Sequence, residues 1–323
     1  MRPQTPSGLQ IGDVLADRAI IWSRTDRPAR FIVERSYHED FRDAVRIRGP
    51  LAVEASDFIA RVDLVDLRSD RSVFVRTMFE DIASGRARSA PIEGRFRTAP
   101  DARRNVRFVW SADTAGQGFG INADWGGMRT YETMRQADPD FFIHCGDTIY
   151  ADGPIAPAVV LNDGTVWRNV VTEETSKVAE SLHEFRGRYR YNLMDTNVRR
   201  FSSEVPQIWQ WDDHEVLNNW STGTDLSADT RYGEKNVGRL ATRARRAFLE
   251  YAPIRTGPGF MTSTPSGSSC PDRSTRAHSV RTRLTTPSAR RSCIRKPRPH
   301  PPHHHQRACS SSDRWTSMAG RVR

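Results

Sequence analysis

Three segments between residues 106 and 220 share one design, in which an apolar run is followed directly by acidic or hydrogen-bonding side chains. The residues that these positions offer for chemistry are Asp113, Asp147, Tyr150, Asp212, Asp213, His214 and Asn219. If the three runs are strands of one open α/β sheet, their carboxyl ends meet at the edge where such sheets bind ligands. The pattern therefore predicts one polar site built from three loops.

Each segment also has a plain structural explanation when it is taken alone. Gly146-Asp147 could form a turn, Asp212-Asp213 could cap the segment that follows, and His214 could be a structural histidine whose ring is hydrogen-bonded. Taken together, however, three strand ends that carry carboxylates would repel one another unless cations lay between them. We therefore expect a metal site at this edge.

The types of ligand indicate the class of metal. Carboxylates, a phenol, an imidazole and an amide oxygen favour iron, manganese, calcium or magnesium over a structural zinc. Asp147 can bridge two cations through its two oxygens, and Tyr150 can return to one of them as a phenolate, which trivalent iron prefers. Two cations about 3.5 to 4 Å apart would clamp a phosphate ester and lower the pKa of a bound water for attack on phosphorus.

The elements that must position these residues follow from the hydrophobic pattern, which alternates apolar strands, Gly-rich loops and longer helical stretches and so indicates an α/β layer structure over residues 104–255. Strands are predicted at 106–111, 141–145 and 207–211, and helices at 125–136, 176–194 and 234–251. Residues 150–175 are predicted to form a long loop, which is typical of a functional lid.

Residues 8–100 have a different pattern, with short alternating stretches separated by turn residues. Examples are residues 19–22, 30–34, 58–62 and 72–76. Six or seven such runs in about 90 residues predict a small antiparallel β-sandwich that ends before Pro100. Residues 1–7 are expected to be disordered.

The net charge of +10 is concentrated in the last part of the chain. Residues 261–323 carry 12 Arg and 1 Lys against 2 Asp, a net +11, which leaves 36 basic and 37 acidic residues before them. A nucleic-acid partner would have to bind this tail, which has only Trp315 to stack on bases, so none is expected. No apolar run reaches the length of a membrane span, and the first ten residues lack an export signal.

Residues 256–323 are expected to form a disordered basic tail, because they lack a regular apolar period. Either the composition reflects ordinary disorder, or the reading frame changes near Phe260, which is the explanation we favour. Cys270, Cys293 and Cys309 are spaced by 23 and 16 residues, which fits no paired zinc-ligand pattern. The row 303–305 of histidines is not predicted to bind metal.

The Gly-Asp-x-x-Tyr segment at 146–150, the Trp-Asp-Asp-His-Glu-Val-x-Asn-Asn-Trp segment at 211–220 and the β-rich leader resemble the PhoD-like alkaline phosphatases over residues 8–251. The resemblance implies an immunoglobulin-like N-terminal domain, a metallophosphoesterase domain, iron and calcium as cofactors, and a phosphate-ester substrate. By this resemblance, Asp147, Tyr150 and the Asp212-Asp213-His214 group contact metal or phosphate, and Asn219 is an oxygen ligand. The family is typically exported.

Two departures from the family pattern bear on the site. Many members have Ser-Cys-Gln after the first strand, with the Cys on iron, whereas this chain has Ser111-Ala112-Asp113. Either Asp113 supplies that ligand or the site is rebuilt. The family's later Gly-Asp-x-His segment has no match here, which predicts an incomplete, truncated or frame-shifted phosphatase domain.

The sequence therefore predicts a metal-dependent phosphoesterase that uses a metal-activated hydroxide. Asp147 would bridge the cations, Tyr150 would bind the harder one, and Asp213 and His214 would act at the metal or near the leaving group. The alternatives are an inactive truncated fragment of such an enzyme, or a binding module that uses the β-sandwich. We expect a monomer.

Overall fold

The computed structural model describes residues 2–83, 85, 87–255 and 320–322. Within them, a β-sandwich at the N-terminal end is followed by an α/β layer structure. The predicted fold class is confirmed.

The sandwich contains seven strands in two antiparallel arrangements. They are β1 (Leu9–Gly12), β2 (Ala19–Arg24), β3 (Ala29–Ser36), β4 (Val45–Ala52), β5 (Ile59–Leu64), β6 (Ser72–Asp81) and β7 (Ile92–Arg97). One sheet has the order β4-β3-β6-β7, and β1, β2 and β5 lie on the other side. Side chains alternate between the two faces of each strand, so every second residue enters the core, where Phe31 and Phe79 stack with ring centroids 4.9 Å apart.

The α/β part places its helices against three parallel strands. Its strands are β8 (Val106–Ser111), β9 (Phe141–His144), β10 (Ala158–Val160), β11 (Val166–Arg168), β12 (Gln207–Trp209) and β13 (Gly320–Val322), and its helices are α1 (Arg129–Gln136), α2 (Leu182–Asn192), α3 (Thr196–Glu204) and α4 (Val237–Tyr251). β8, β9 and β12 are the parallel strands. Val109 and Phe142 are buried on one sheet face against α1 and α3, whereas Trp110 and Ile208 on the opposite face are 54% and 44% exposed.

The two parts share one sheet. β12 pairs in parallel with β1 through Gly12 and Gln207, which gives a seven-stranded sheet with the order β13-β8-β9-β12-β1-β2-β5. A Cβ atom at Gly12 would lie 2.3 Å from the carbonyl oxygen of Pro253 and 2.8 Å from that of Gln207. The junction therefore requires glycine at this position, because any side chain would displace two backbones.

Buried ion pairs and hydrogen bonds hold α2 and α4 against the sandwich. The carboxylate of Asp57 accepts hydrogen bonds from Arg24 on β2 at 3.1 Å, from Arg190 on α2 at 2.9 Å and from the Tyr251 hydroxyl on α4. The Trp22 indole donates to the carbonyl of Glu250 at 2.8 Å. These bonds satisfy charges that would be costly to bury alone, and they fix the helices behind the polar site.

The helices begin later than the sequence predicts, and the reasons are local. The helix predicted at 125–136 begins at Arg129, because Gly126 and Gly127 have φ angles of +79° and +73°. The helix predicted at 176–194 begins at Leu182, after a capping box between Ser181 and Glu184.

The helix predicted at 234–251 begins at Val237, after the Asn236 cap. Helix α3 was not predicted. Among the described residues, no helix has the length and apolar character needed to cross a membrane.

Strand ends and the predicted loop also differ in detail. The predicted strands 141–145 and 207–211 end at His144 and Trp209. The predicted loop 150–175 contains the β10–β11 hairpin, whose turn holds an Asp-Gly pair at 163–164, a hairpin signal that the prediction missed.

The two ends of the chain differ in how much of them the structure describes. The backbone of Gln4 donates to Asp26 and its carbonyl accepts from Thr25, and Ser7 is buried, so residues 2–7 lie against the sandwich. The basic tail predicted at 256–323 lies outside the described residues apart from β13, which pairs in antiparallel fashion with β8.

Candidate metal site

Three loops meet at the carboxyl ends of β8, β9 and β12. Ser111 pairs with His144, and His144 pairs with Trp209, so the chain leaves all three strands at one level. Beyond the strands, the backbone N–H of Thr114 donates to the carbonyl of Asp147 at 3.0 Å. The parallel register thus brings the predicted loops together at one edge of the sheet.

Asp147, Asp213 and His214 form a compact group of candidate ligands. One ligand atom from each lies within 4.8 Å of those of the other two. The backbone N–H of His214 also donates to Asp147 Oδ1 at 3.2 Å, which joins the second and third loops. Asp147 is only 9% exposed and has a φ of +54°, a strained conformation of the kind that clusters at functional sites.

The electrostatics of Asp147 fit a cation. Burial raises the pKa of this carboxyl to about 7, and the nearby carboxylates of Glu215 and Asp113 add to the effect. A positive ion beside it would favour the ionised form and relieve that repulsion. The residues present therefore fit a divalent or trivalent metal.

Tyr150 and Asp113 lie together beside this group. The Tyr150 hydroxyl donates a hydrogen bond to Asp113 Oδ1, and the Tyr150 ring stacks on His214 with centroids 4.1 Å apart and planes 24° apart. Burial, followed by the bond to Asp113, raises the pKa of the Tyr150 phenol. The predicted Asp113 thus reaches the group through Tyr150, and it has a φ of +60°.

His214 is oriented by a carboxylate that the sequence analysis did not single out. Asp152 Oδ1 lies 2.7 Å from His214 Nδ1, and Asp152 Oδ2 accepts from the backbone N–H of Asn218 at 2.9 Å. Burial opposes protonation of His214, but the hydrogen bond with Asp152 prevails and raises the pKa of the imidazole. With Nδ1 engaged, Nε2 is the ring nitrogen left to face a metal or a substrate.

A second missed residue, Glu215, holds two of the loops. Its side chain is fully buried and accepts from the Thr148 backbone at 2.7 Å, the Thr148 hydroxyl at 2.6 Å, the Asp147 backbone at 3.3 Å and the Asp212 backbone at 2.8 Å. Burial raises the pKa of Glu215. Four hydrogen bonds to one carboxylate fix the backbone of the two loops that carry Asp147 and Asp213.

Asp212 and Asn219 occupy the rim of the site. Both are exposed, and neither Asp212 nor Asp113 belongs to the group formed by Asp147, Asp213 and His214. The backbone N–H of Asn219 donates to Asp213 Oδ2. The structure therefore brings three of the predicted residues together and arranges the others around them.

A buried polar chain lies beneath the first two loops. The Thr114 hydroxyl is 2.8 Å from His144 Nε2 and 2.7 Å from the Tyr131 hydroxyl. Burial lowers the pKa of His144 to about 4 and raises that of Tyr131 to about 12. His144 is thus a neutral supporting residue at the end of β9.

A cluster of carboxylates and an imidazole thus lies at the strand ends of an α/β layer that follows a β-sandwich. Sequence profiles agree with the geometry: the PhoD-like phosphatase profile matches residues 108–266, and the profile of its N-terminal domain matches residues 1–100. The chain belongs to the PhoD-like phosphatase family.

Two relatives show the extent of the similarity. The chain is 26% identical to alkaline phosphatase D of Bacillus subtilis (strain 168) over 273 residues, which are 80% of this chain and 42% of that protein. A solved structure of PhoD superposes with a TM-score of 0.62 at 22% identity and covers 78% of this chain and 46% of that one. The chain therefore spans less than half the length of these relatives.

Proposed function

We propose that this chain is the part of a metal-dependent phosphoesterase that binds the phosphate group of an ester for hydrolysis. The observation that carries the proposal is the approach of the Asp147, Asp213 and His214 ligand atoms to within 4.8 Å of one another at the strand ends. Membership of the PhoD-like phosphatases supports the reaction class. The resemblance noted in the sequence supports iron and calcium as the metals.

The position of each residue indicates its proposed role. Asp147 and Asp213 would hold the metal through carboxylate oxygens, with Tyr150 and Asp113 on one side and Asn219 and Asp212 at the rim. A bound metal supplies polarisation of the phosphoryl oxygen and a lowered pKa for water. His214, held by Asp152 through Nδ1, would present Nε2 to the metal or to the leaving group.

The buried residue beneath the site keeps the candidate ligands in position. Glu215 fixes the backbone of the second and third loops, so the carboxylates keep their spacing when no substrate is bound. Preorganised groups of this kind lower the reorganisation that catalysis requires.

Metal binding tests the proposal directly. The full chain should bind iron or calcium in elemental analysis. Asp147→Asn should reduce binding more than Asp113→Asn, because Asp147 would contact two ions if it bridged them. Asp101→Asn, at an exposed position outside the site, is the matched control and should leave binding unchanged.

The outcomes separate the roles. Equal loss for Asp147→Asn and Asp113→Asn would contradict the bridging role of Asp147. If the full chain retained no metal after loading, the proposal of a metal site would be refuted. Hydrolysis of an aryl phosphate by the loaded chain, abolished by Asp147→Asn, would establish the activity.

A further inference from the structure

Three aromatic side chains form a partly exposed cluster beside the site. Phe119 and Trp125 are 38% and 49% exposed. Trp167 lies between them, with ring centroids 5.9 Å from Phe119 and 5.2 Å from Trp125. Phe119 and Trp125 come from the loop and turn after β8, and Trp167 comes from the β10–β11 hairpin.

The cluster is held rigidly by one amide. Asn169 Oδ1 accepts from the Gly120 backbone and from the Trp167 indole, both at 2.8 Å. Its Nδ2 donates to the Gly118 carbonyl at 2.8 Å and to the Ala156 carbonyl at 2.7 Å. The bonds with Gly120 and Gly118 join the Gly-rich loop to the hairpin, and the other two lie within the hairpin and the segment before it. The rings are therefore held in place without the entropy cost of ordering a mobile loop.

The same loop connects the cluster to the site. Gly116 lies against the Tyr150 ring, because a Cβ atom there would come within 2.5 Å of it. The backbone N–H of Phe119 donates to the Gly116 carbonyl at 3.0 Å, which closes a turn. A turn keeps its first and fourth Cα atoms within about 7 Å, so the Cα of Phe119 lies within about 7 Å of that of the glycine that packs on the Tyr150 ring.

We propose that Phe119, Trp125 and Trp167 bind a planar aromatic ring carried by the phosphate ester, as in an aryl phosphate or a nucleotide. Exposed aromatic faces stack with flat rings in offset or edge geometry and so add affinity beyond the buried area. This inference rests on the proposed function, because it places the phosphate at Asp147, Asp213 and His214. It predicts that the site binds esters with aromatic groups more tightly than esters with small aliphatic groups.

Two phosphonates that resist hydrolysis test the inference by isothermal titration of the full chain loaded with iron and calcium. Phenylphosphonate should bind about fivefold more tightly than methylphosphonate, the gain expected from one aromatic contact. Trp125→Ala and Phe119→Leu should each reduce that preference and leave the affinity for methylphosphonate unchanged. Trp110→Ala, at a tryptophan 54% exposed on the opposite sheet face, is the control and should keep the preference.

The outcomes distinguish this inference from the proposed function. Equal affinities for the two phosphonates would overturn the aromatic subsite and leave phosphate binding intact. Loss of the preference in Trp110→Ala to the same degree as in Trp125→Ala would also overturn it. If neither phosphonate bound, both the subsite and the proposed function would be overturned.

Discussion

Replacing Glu215 by glutamine should weaken both the fold and the metal site. The carboxylate accepts four hydrogen bonds, two on each oxygen. Glutamine keeps one acceptor oxygen and turns an NH₂ group towards the donors that the other oxygen served. At least two bonds to a charged acceptor are lost, each worth about 1.5–3 kcal/mol.

The loss is partly offset, because a neutral amide is less costly to bury than a carboxylate. We expect the free energy of unfolding to fall by about 2–4 kcal/mol. The backbone of Asp147 and Asp212 would also loosen, and removal of such a supporting group lowers metal affinity by about 10–100-fold.

Urea unfolding followed by circular dichroism measures the first effect, and calorimetric metal titration measures the second. Glu93→Gln is the matched control, because Glu93 lies on β7 with its side chain 62% exposed, and its substitution should change stability by less than about 0.5 kcal/mol. If Glu215→Gln unfolded at the wild-type urea midpoint and bound metal as tightly, the assigned positioning role would be refuted.

Three further outcomes are expected. The pKa of His144 is about 4 against an ordinary 6.5, so the stability that its neutral form contributes is complete above about pH 6.5 and is lost as the pH falls towards 4. Between pH 7 and 5, the free energy of unfolding in urea should therefore fall by about 2 kcal/mol less in His144→Gln than in the wild type. His183→Gln, whose side chain is 72% exposed, should keep the wild-type slope, and an equal slope in His144→Gln would contradict the prediction. Asp57→Ala should lower the free energy of unfolding by about 3–5 kcal/mol, because Arg24 and Arg190 would lose their buried partner. Thermal or urea unfolding measures this change, and a value below about 1 kcal/mol would contradict the role of Asp57 in holding α2 and α4 against the sandwich. Our interpretation that the reading frame changes near Phe260 predicts that a frame-corrected version with a Gly-Asp-x-His segment should hydrolyse an aryl phosphate more than tenfold faster than this chain, and rates within tenfold would contradict it.

The strands that carry the site could be predicted because each is a short apolar run that ends in polar residues. That pattern located β8, β9 and β12 within two residues and placed Asp147, Asp213 and His214 on one edge. The parallel register brings the three strand ends to one edge, as the predicted α/β pattern requires, but it does not decide which of the predicted residues form the group.

The supports of the site could not be found in this way. In the sequence, Glu215 and Asp152 look like ordinary acidic loop residues close to candidate ligands. Only the folded chain shows that Glu215 is buried and accepts four hydrogen bonds, and that Asp152 holds His214. Helix α3 has only Val198 and Phe201 as large apolar residues, too few for a clear helical period. The pairing of β1 with β12 joins distant parts of the chain, which local patterns do not record.

That pairing has a consequence for how the protein is made. During synthesis the strands β1 to β7 emerge first and can form their antiparallel pairs long before Gln207 leaves the ribosome. Until then one side of β1 is an open strand edge, which can recruit other chains. The finished sandwich offers this edge as a template to which β12 adds, and the sheet of the phosphatase part can grow from it. Mutations that slow the arrival of β12 should therefore appear as aggregation of nascent protein, even where the completed chain is stable.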